Sequence, residues 1–312
     1  MTNDLIANDV NVPGFPLPAT RSWAYYRSRL DKKFRLVTKD QRVLPDFIIV
    51  GAQKSGTTSL YNYLKRHPHV LGSRRTEVHF FDNSYAQGLS YYRSYFPLRS
   101  HCRLLSLFRR GPIFTGESTP DYMLYPFSIT RIAQSLPRVK IIVLLRNPVE
   151  RAFSHYVHNV RLAGRREPLS FMAAIQAEEI RTADPRWQIS AGAHQRSMVL
   201  NTYSYLLRGI YVRPIRQLMD AFAPDQVLII QSERFFRDTA AVYAQVLDFL
   251  NLPAFQLARY EKVFHRQSPG YPNAHRQVPP MTIAEQQYLQ TYFAPHNEAL
   301  YEILGKRFDW PV

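Results

Sequence analysis

Three short apolar runs constrain this fold more than any other feature. They are Phe47-Ile48-Ile49-Val50, Val139 to Leu145 (VKIIVLL) and Val227-Leu228-Ile229-Ile230. Each is rich in β-branched residues, and none alternates apolar with polar side chains as a half-exposed strand would. Strands buried on both faces are the habit of parallel sheets covered by helices. A shorter run, Ile113-Phe114-Thr115, reads as a fourth strand. Helical patterns follow the three main runs, giving a repeated βα order. The expected class is α/β, a P-loop-like three-layer α/β/α arrangement around a central parallel sheet.

The helix boundaries carry their own signals. Asn147 before Pro148 supplies an N-cap and a first-turn proline. Asp238 can cap TAAVYAQVLDFL, where Val242, Val246, Phe249 and Leu250 share a stripe. Thr282 and Glu285 match a capping box, and Gly305 suits a helix end. Residues 1–42 read as an N-terminal arm or short docking helix, and residues 43–312 as the main domain. Within it, residues 164–200 are weakly patterned and read as an insertion suited to acceptor recognition.

With 312 residues, 46% of them hydrophobic, the chain is long enough to bury a large core. Lys plus Arg outnumbers Asp plus Glu by 40 to 24, a net charge of +16 that points to an anionic partner. The basic residues are scattered in pairs such as Arg74-Arg75 and Arg165-Arg166, which weighs against a nucleic-acid arm. One cysteine, Cys102, excludes an intramolecular disulfide and a Cys-based zinc site. The N-terminus lacks a basic start followed by an apolar run, and no stretch reaches the ~18 apolar residues of a membrane helix. A cytoplasmic chain without a transmembrane segment is the expectation.

The first run leads into GAQKSGTTSL, residues 51 to 60. A Walker A loop reads G-x-x-x-x-G-K-[ST]. Gly51 and Gly56 have that spacing, but Thr57 follows Gly56, and the lysine is Lys54, three places early. A helix starting near Thr57, with Leu60 and Leu64 on its buried face, would point its free N–H groups and positive dipole end at the loop. Lys54, Ser55, Thr57, Thr58 and Ser59 add donors, so the loop suits a terminal phosphate or sulfate. The second run ends in Arg146 rather than in a metal-binding Asp. Arg146 therefore brings another cation to the same sheet edge, with Ser154 about one and a half turns into the next helix.

Together these residues resemble the sulfotransferases that use 3′-phosphoadenosine-5′-phosphosulfate (PAPS), most closely the carbohydrate, heparan-sulfate-type branch and its bacterial relatives. GAQKSGTTSL is similar to that family's 5′-phosphosulfate loop. RNPVERAFSHY, residues 146 to 156, is similar to its 3′-phosphate element. Further likeness runs through EVHFFD (77–82), GESTPDY (116–122), SERFFRDT (232–239) and LGKRFDW (304–310), covering roughly residues 45–310. The resemblance implies that Lys54 contacts the phosphosulfate and its bridging oxygen. Ser55, Gly56, Thr57, Thr58 and Ser59 would wrap the 5′-phosphate, and Arg146 and Ser154 would bind the 3′-phosphate. Glu77, at the E-x-x-F-F position, would be the base, with His79 as runner-up and Glu117 as a group that orients the acceptor or Lys54. No metal is required.

Sulfuryl transfer by in-line displacement needs a base for the acceptor hydroxyl and a cation for the departing oxygen, which Glu77 and Lys54 can supply. The expected acceptor is a hydroxyl of a carbohydrate, glycolipid or other small molecule, including an anionic one, and not a nucleic acid. Three positions depart from the family pattern: Thr76 where a basic residue is common, Ser118 where lysine is common, and a late donor loop, GYPNAHRQVPP (270–280), in which His275 or Arg276 would substitute. Two other classes compete. One is a P-loop-like nucleotide kinase or ATPase, disfavoured by the lysine position and the missing acidic strand end. The other is a non-catalytic polyanion-binding module, which would leave the two paired anion motifs unexplained.

Overall fold

The structure, a computed structural model, describes residues 23–161, 167–183, 197–261 and 277–310, with side chains from Leu30 onward. Helix α1 (Trp23–Val37) precedes the first strand. The sheet strands are β1 (Phe47–Gly51), β2 (Val70–Gly72), β3 (Phe114–Ser118), β4 (Lys140–Leu145) and β5 (Val227–Gln231). All pair in parallel, in the order β2-β3-β1-β4-β5. The three main apolar runs are thus β1, β4 and β5. The fourth run is longer than its apolar part suggests, reaching Ser118, while β2 has only three residues and too little pattern to be read.

Alternation along the central strands divides the core in two. Ile48, Val50, Ile141, Val143 and Leu145 face one side, where α3 (Pro126–Ser135), α5 (Val212–Ala221) and α8 (Ile283–Leu304) pack. Phe47, Ile49, Ile142, Leu144 and Ile230 face the other, against α2 (Thr57–Lys65) and α7 (Thr239–Phe249). Two apolar faces, each covered by helices, make the three-layer α/β/α architecture and explain why these strands read as unbroken apolar runs.

The caps read from sequence are formed. Asn147 Oδ1 accepts the Val149 N–H at 2.9 Å at the start of α4 (Pro148–Arg161). Asp238 Oδ1 accepts the Ala241 N–H ahead of α7, Thr282 and Glu285 close their box on α8, and Gly305 ends α8 with φ 62°. Val242 and Val246 in α7 and Leu250 at its C-cap are buried, and Phe249 is partly so. Between the undescribed stretches of 164–200 lie two short helices, Phe171–Gln176 and Glu178–Thr182. Among the described residues, no helix is long and apolar enough to cross a membrane.

Candidate active site

Parallel α/β sheets bind ligands beyond the carboxyl ends of their strands. At the end of β1, the Ala52 N–H donates to the Leu144 carbonyl at 2.7 Å, so the loop leaves beside the end of β4. Lys54 and Gly56 both turn through positive φ, at 71° and 94°. At Gly56 a Cβ would lie 2.8 Å from Phe236 Cζ, so glycine is required by conformation and by space. The first i→i−4 bond of α2 runs from the Leu60 N–H to the Gly56 carbonyl, which leaves the preceding amides at the helix N-terminus. Ser55 is fully buried and its Oγ has no partner among the described residues. An unsatisfied buried hydroxyl beside free helix amides is the chemistry of a phosphate cradle, so the loop fits the 5′-phosphate end of such a donor. Thr57 is buried, and Thr58 and Ser59 are half-buried along the same first turn.

Arg146 leaves the end of β4 and donates from Nη1 to the Lys54 carbonyl at 3.3 Å and from Nη2 to Glu150 at 3.3 Å. Two cations therefore meet at adjacent strand ends. Burial pushes the Lys54 ammonium pKa down to about 8, helped by Arg146 and Arg151 and opposed by Glu77. Ser154 lies half-buried on α4, two turns from Arg146. Sequence reasoning missed Arg151, between them. It is fully buried, donates to the carbonyls of Ser204 and Tyr205 at 3.3 and 2.6 Å, and keeps Nε and Nη1 without a partner among the described residues. Burial lowers its pKa to about 10, and burial beside Arg151 holds His155 well below the usual imidazole range.

On the other side of β1 stands β3. The Ser118 N–H donates to the Thr76 carbonyl and the Val78 N–H to Thr119 Oγ1, which tie residues 76–79 along the end of this strand. Glu77 is exposed and close enough to Lys54 to raise its pKa. His79, at φ 55°, bridges Glu77 Oε2 at 3.2 Å through Nε2 and Asp82 Oδ2 at 2.8 Å through Nδ1. The runner-up base is therefore built as a partner of the first choice. Behind them, Asp121 pairs with Arg208 at 2.8 Å, both nearly fully buried. Among the described residues, His79, Asp82 and Asp121 bring ligand atoms within 4.8 Å of one another, a grouping of the kind that can hold a cation.

Glu117 is fully buried and lies in no ion pair among the described residues. It accepts hydrogen bonds from Tyr92, Tyr122 and Thr119 at 2.5, 3.1 and 2.6 Å. Burial raises its pKa to about 7 against the pull of those hydroxyls. The Thr119 hydroxyl, which also receives the Val78 N–H, links it to the segment carrying Glu77. Glu117 thus supports the Glu77 segment from within.

A fourth strand end closes the floor. At the start of α6 (Ser232–Arg237), Ser232 Oγ donates to the Ser55 carbonyl at 2.8 Å, and Glu233 accepts the Asn147 N–H at 2.8 Å and the Trp310 Nε1–H at 3.0 Å. These bonds join the loop, the start of α4 and the C-terminal segment, and they account for the SERFFRDT and LGKRFDW stretches. Composition gave no sign of them, because their partners are distant in sequence. His275 and Arg276 lie outside the described residues.

The family model described as "Sulfotransferase domain" matches residues 44–272. The chain is 28% identical to the human "Bifunctional heparan sulfate N-deacetylase/N-sulfotransferase 3" over 301 residues, which is 88% of this chain but only 32% of that protein's length. It is 29% identical to the mouse "Heparan sulfate glucosamine 3-O-sulfotransferase 6", covering 86% of this chain and 75% of the relative. Among solved structures, a sulfotransferase from Alicyclobacillus acidocaldarius superposes with a TM-score of 0.60 at 28% identity, over 85% of this chain and 98% of that one. The chain belongs to the sulfotransferase family.

Proposed function

We propose that this enzyme transfers a sulfuryl group from PAPS to a hydroxyl of a carbohydrate or similar acceptor, with Glu77 as base and Lys54 as the cation at the leaving oxygen. The observation that carries the reading is the order of three adjacent strand ends. From β3, along whose end residues 76–79 are tied, to β1 to β4, the order is Glu77, then Lys54, then Arg146. A proton acceptor and the cation for the leaving oxygen stand on neighbouring strand ends, the pair that an in-line displacement needs, and a second cation lies beyond them for the 3′-phosphate.

PAPS would supply the sulfuryl group. Ser55, Gly56 and the first amides of α2 would hold its 5′-phosphate, and Arg146 with Ser154 its 3′-phosphate. Lys54 neutralises charge as it gathers on the departing oxygen. Glu77 receives the proton of the acceptor hydroxyl, and His79, held by Asp82, fixes the carboxylate. His275 and Arg276 remain part of the proposed donor site on sequence alone. Residues 1–42 as an arm and 164–200 as the acceptor-side insertion belong to the same proposal, as does a cytoplasmic setting, which suits the unpaired Cys102.

The likeness to glucosamine 3-O-sulfotransferases supports a sugar hydroxyl, while Thr76 and Ser118 remove two cations common in that branch and favour a less anionic acceptor. The test is a panel of glycan, glycolipid and small-molecule acceptors incubated with PAPS and read by mass spectrometry for an added sulfate. Sulfation of a hydroxyl acceptor by the wild type, lost in Lys54→Ala, is the expected result. ATP turnover with Mg²⁺ and no sulfation would replace the reading with a nucleotide kinase or ATPase.

A further inference from the structure

The helix Arg99–Arg109 is built against the usual rule for surface helices. Its inner side carries Cys102, Leu105 and Ser106, all partly buried, and no residue of the helix is fully buried. The larger apolar side chains point outward instead. Leu104 is 52% exposed, and Leu107 and Phe108 are each 77% exposed. Positions 104, 107 and 108 are spaced i, i+3, i+4 and form one stripe. Arg99, Arg103, Arg109 and the capping Arg110 are exposed around it, with His101, and the helix contains no acidic residue. An outward apolar stripe bordered by arginines is the pattern of a helix that lies in a membrane interface.

The stripe has company. Leu30, Phe34 and Val37, exposed by 64%, 54% and 84%, follow one another on α1. Arg35 from α1 donates to the carbonyls of Ser94 and Phe96, and Arg42 bridges to Leu98, immediately ahead of the Arg99–Arg109 helix. The two apolar stripes therefore sit on neighbouring elements.

Position in the fold gives the patch an orientation. The Val43 N–H donates to the Pro97 carbonyl at 3.1 Å and the Asp46 N–H to the Thr115 carbonyl at 2.7 Å, so the chain enters the helix beside the residues that precede β1. The same helix leads through Gly111 into the start of β3. It therefore covers the amino end of the sheet, opposite the carboxyl ends that carry Lys54, Glu77 and Arg146.

We propose that Leu104, Leu107 and Phe108, with their arginine border, dock this enzyme peripherally on an anionic lipid surface, leaving the catalytic mouth turned toward solution. Charge complementarity selects this occupant. Three arginines on the helix and a fourth at its cap, with no carboxylate among them, repel a second copy of the same face, and each arginine near an anionic bilayer adds roughly fivefold to binding. This inference does not depend on the sulfotransferase chemistry.

The test mixes the full chain with vesicles of phosphatidylcholine plus phosphatidylglycerol, and with vesicles of phosphatidylcholine alone, and reads the bound fraction by flotation. Binding to the anionic vesicles, weakened by added salt, is expected, with little binding to the neutral ones. The double variant Leu107→Glu, Phe108→Glu should lose at least about tenfold in binding while its Tm stays that of the wild type. Phe108→Trp should shift its emission to the blue on anionic vesicles alone. The proposal fails if the wild type ignores anionic vesicles or if the double variant binds them equally well. It also fails if sedimentation shows a dimer that the double variant dissolves, since the face would then belong to a second copy.

Discussion

Lys54 shows how the site balances charge before any ligand arrives. Burial and two neighbouring guanidinium groups lower its pKa to about 8, yet at pH 7 protonated lysine still outnumbers the neutral form by about ten to one. An incoming phosphate dianion would favour the charged form further. Above about pH 8 the free enzyme loses this cation, so kcat/KM for the donor should fall as pH rises through that value. Lys54→Arg, if it retains activity, should carry the plateau to higher pH. Steady-state rates across the pH range check this. Glu77→Gln should lower kcat by ~10², whereas His79→Asn, which removes only a support, should cost less. Glu117 makes a separate prediction. Its pKa rises from 4.5 to about 7 on folding, so between those values the folded chain holds a proton that the unfolded chain has released. The stability it lends is present below pH 4.5 and is lost as pH rises through about 7. Melting curves should show Glu117→Gln gaining in Tm relative to the wild type from about pH 5 to about pH 8.

Elements were legible where local chemistry decides them. The runs that became β1, β4 and β5 face apolar cores on both sides of the sheet, and the caps at Asn147, Asp238 and Thr282 are made with residues two or three places away. The carboxyl half of β3 was not legible. Gly116-Glu117-Ser118 has no apolar signature, because a buried carboxylate there is satisfied by Tyr92, Tyr122 and Thr119 only after the chain has folded. Gly116 itself packs under the Phe47 ring, where a Cβ would sit 2.3 Å from Cζ. The turn between β1 and α2 was readable from its glycines, and Gly56 takes the positive φ that its place ahead of the helix demands. Its strain offers a test, since Gly56 adopts φ 94° with Phe236 close by. Gly56→Ala should lower stability by about 1–3 kcal/mol in denaturant titration, and it should weaken donor binding by displacing the amides of α2.

At the scale of the whole molecule, the proposed function depends on strand order. Nothing in the apolar runs states that β1 lies between β3 and β4, yet that order, with the bonds that tie residues 76–79 along the end of β3, sets Glu77, Lys54 and Arg146 at adjacent strand ends. Long-range polar ties then fix the pieces. Arg151 joins α4 to residues 204 and 205, Ser232 holds the loop, Glu233 holds Asn147 and Trp310, and Arg208 reaches Asp121 behind the His79–Asp82 pair. Such ties are invisible in sequence because they couple residues far apart in the chain. The Arg208–Asp121 pair should be costly to break. Arg208→Ala leaves Asp121 charged and buried, and should lower stability by about 3 kcal/mol in chemical denaturation. The central claim is that two anion sites, one at Lys54 and one at Arg146, clamp a doubly phosphorylated adenosine. Calorimetric titration of adenosine 3′,5′-bisphosphate, AMP and ATP into the wild type and Arg146→Ala tests it most directly. The account predicts that the bisphosphate binds far more tightly than AMP or ATP, and that its advantage over AMP collapses in the variant. ATP binding more tightly than the bisphosphate, or a bisphosphate affinity unchanged by Arg146→Ala, would contradict it.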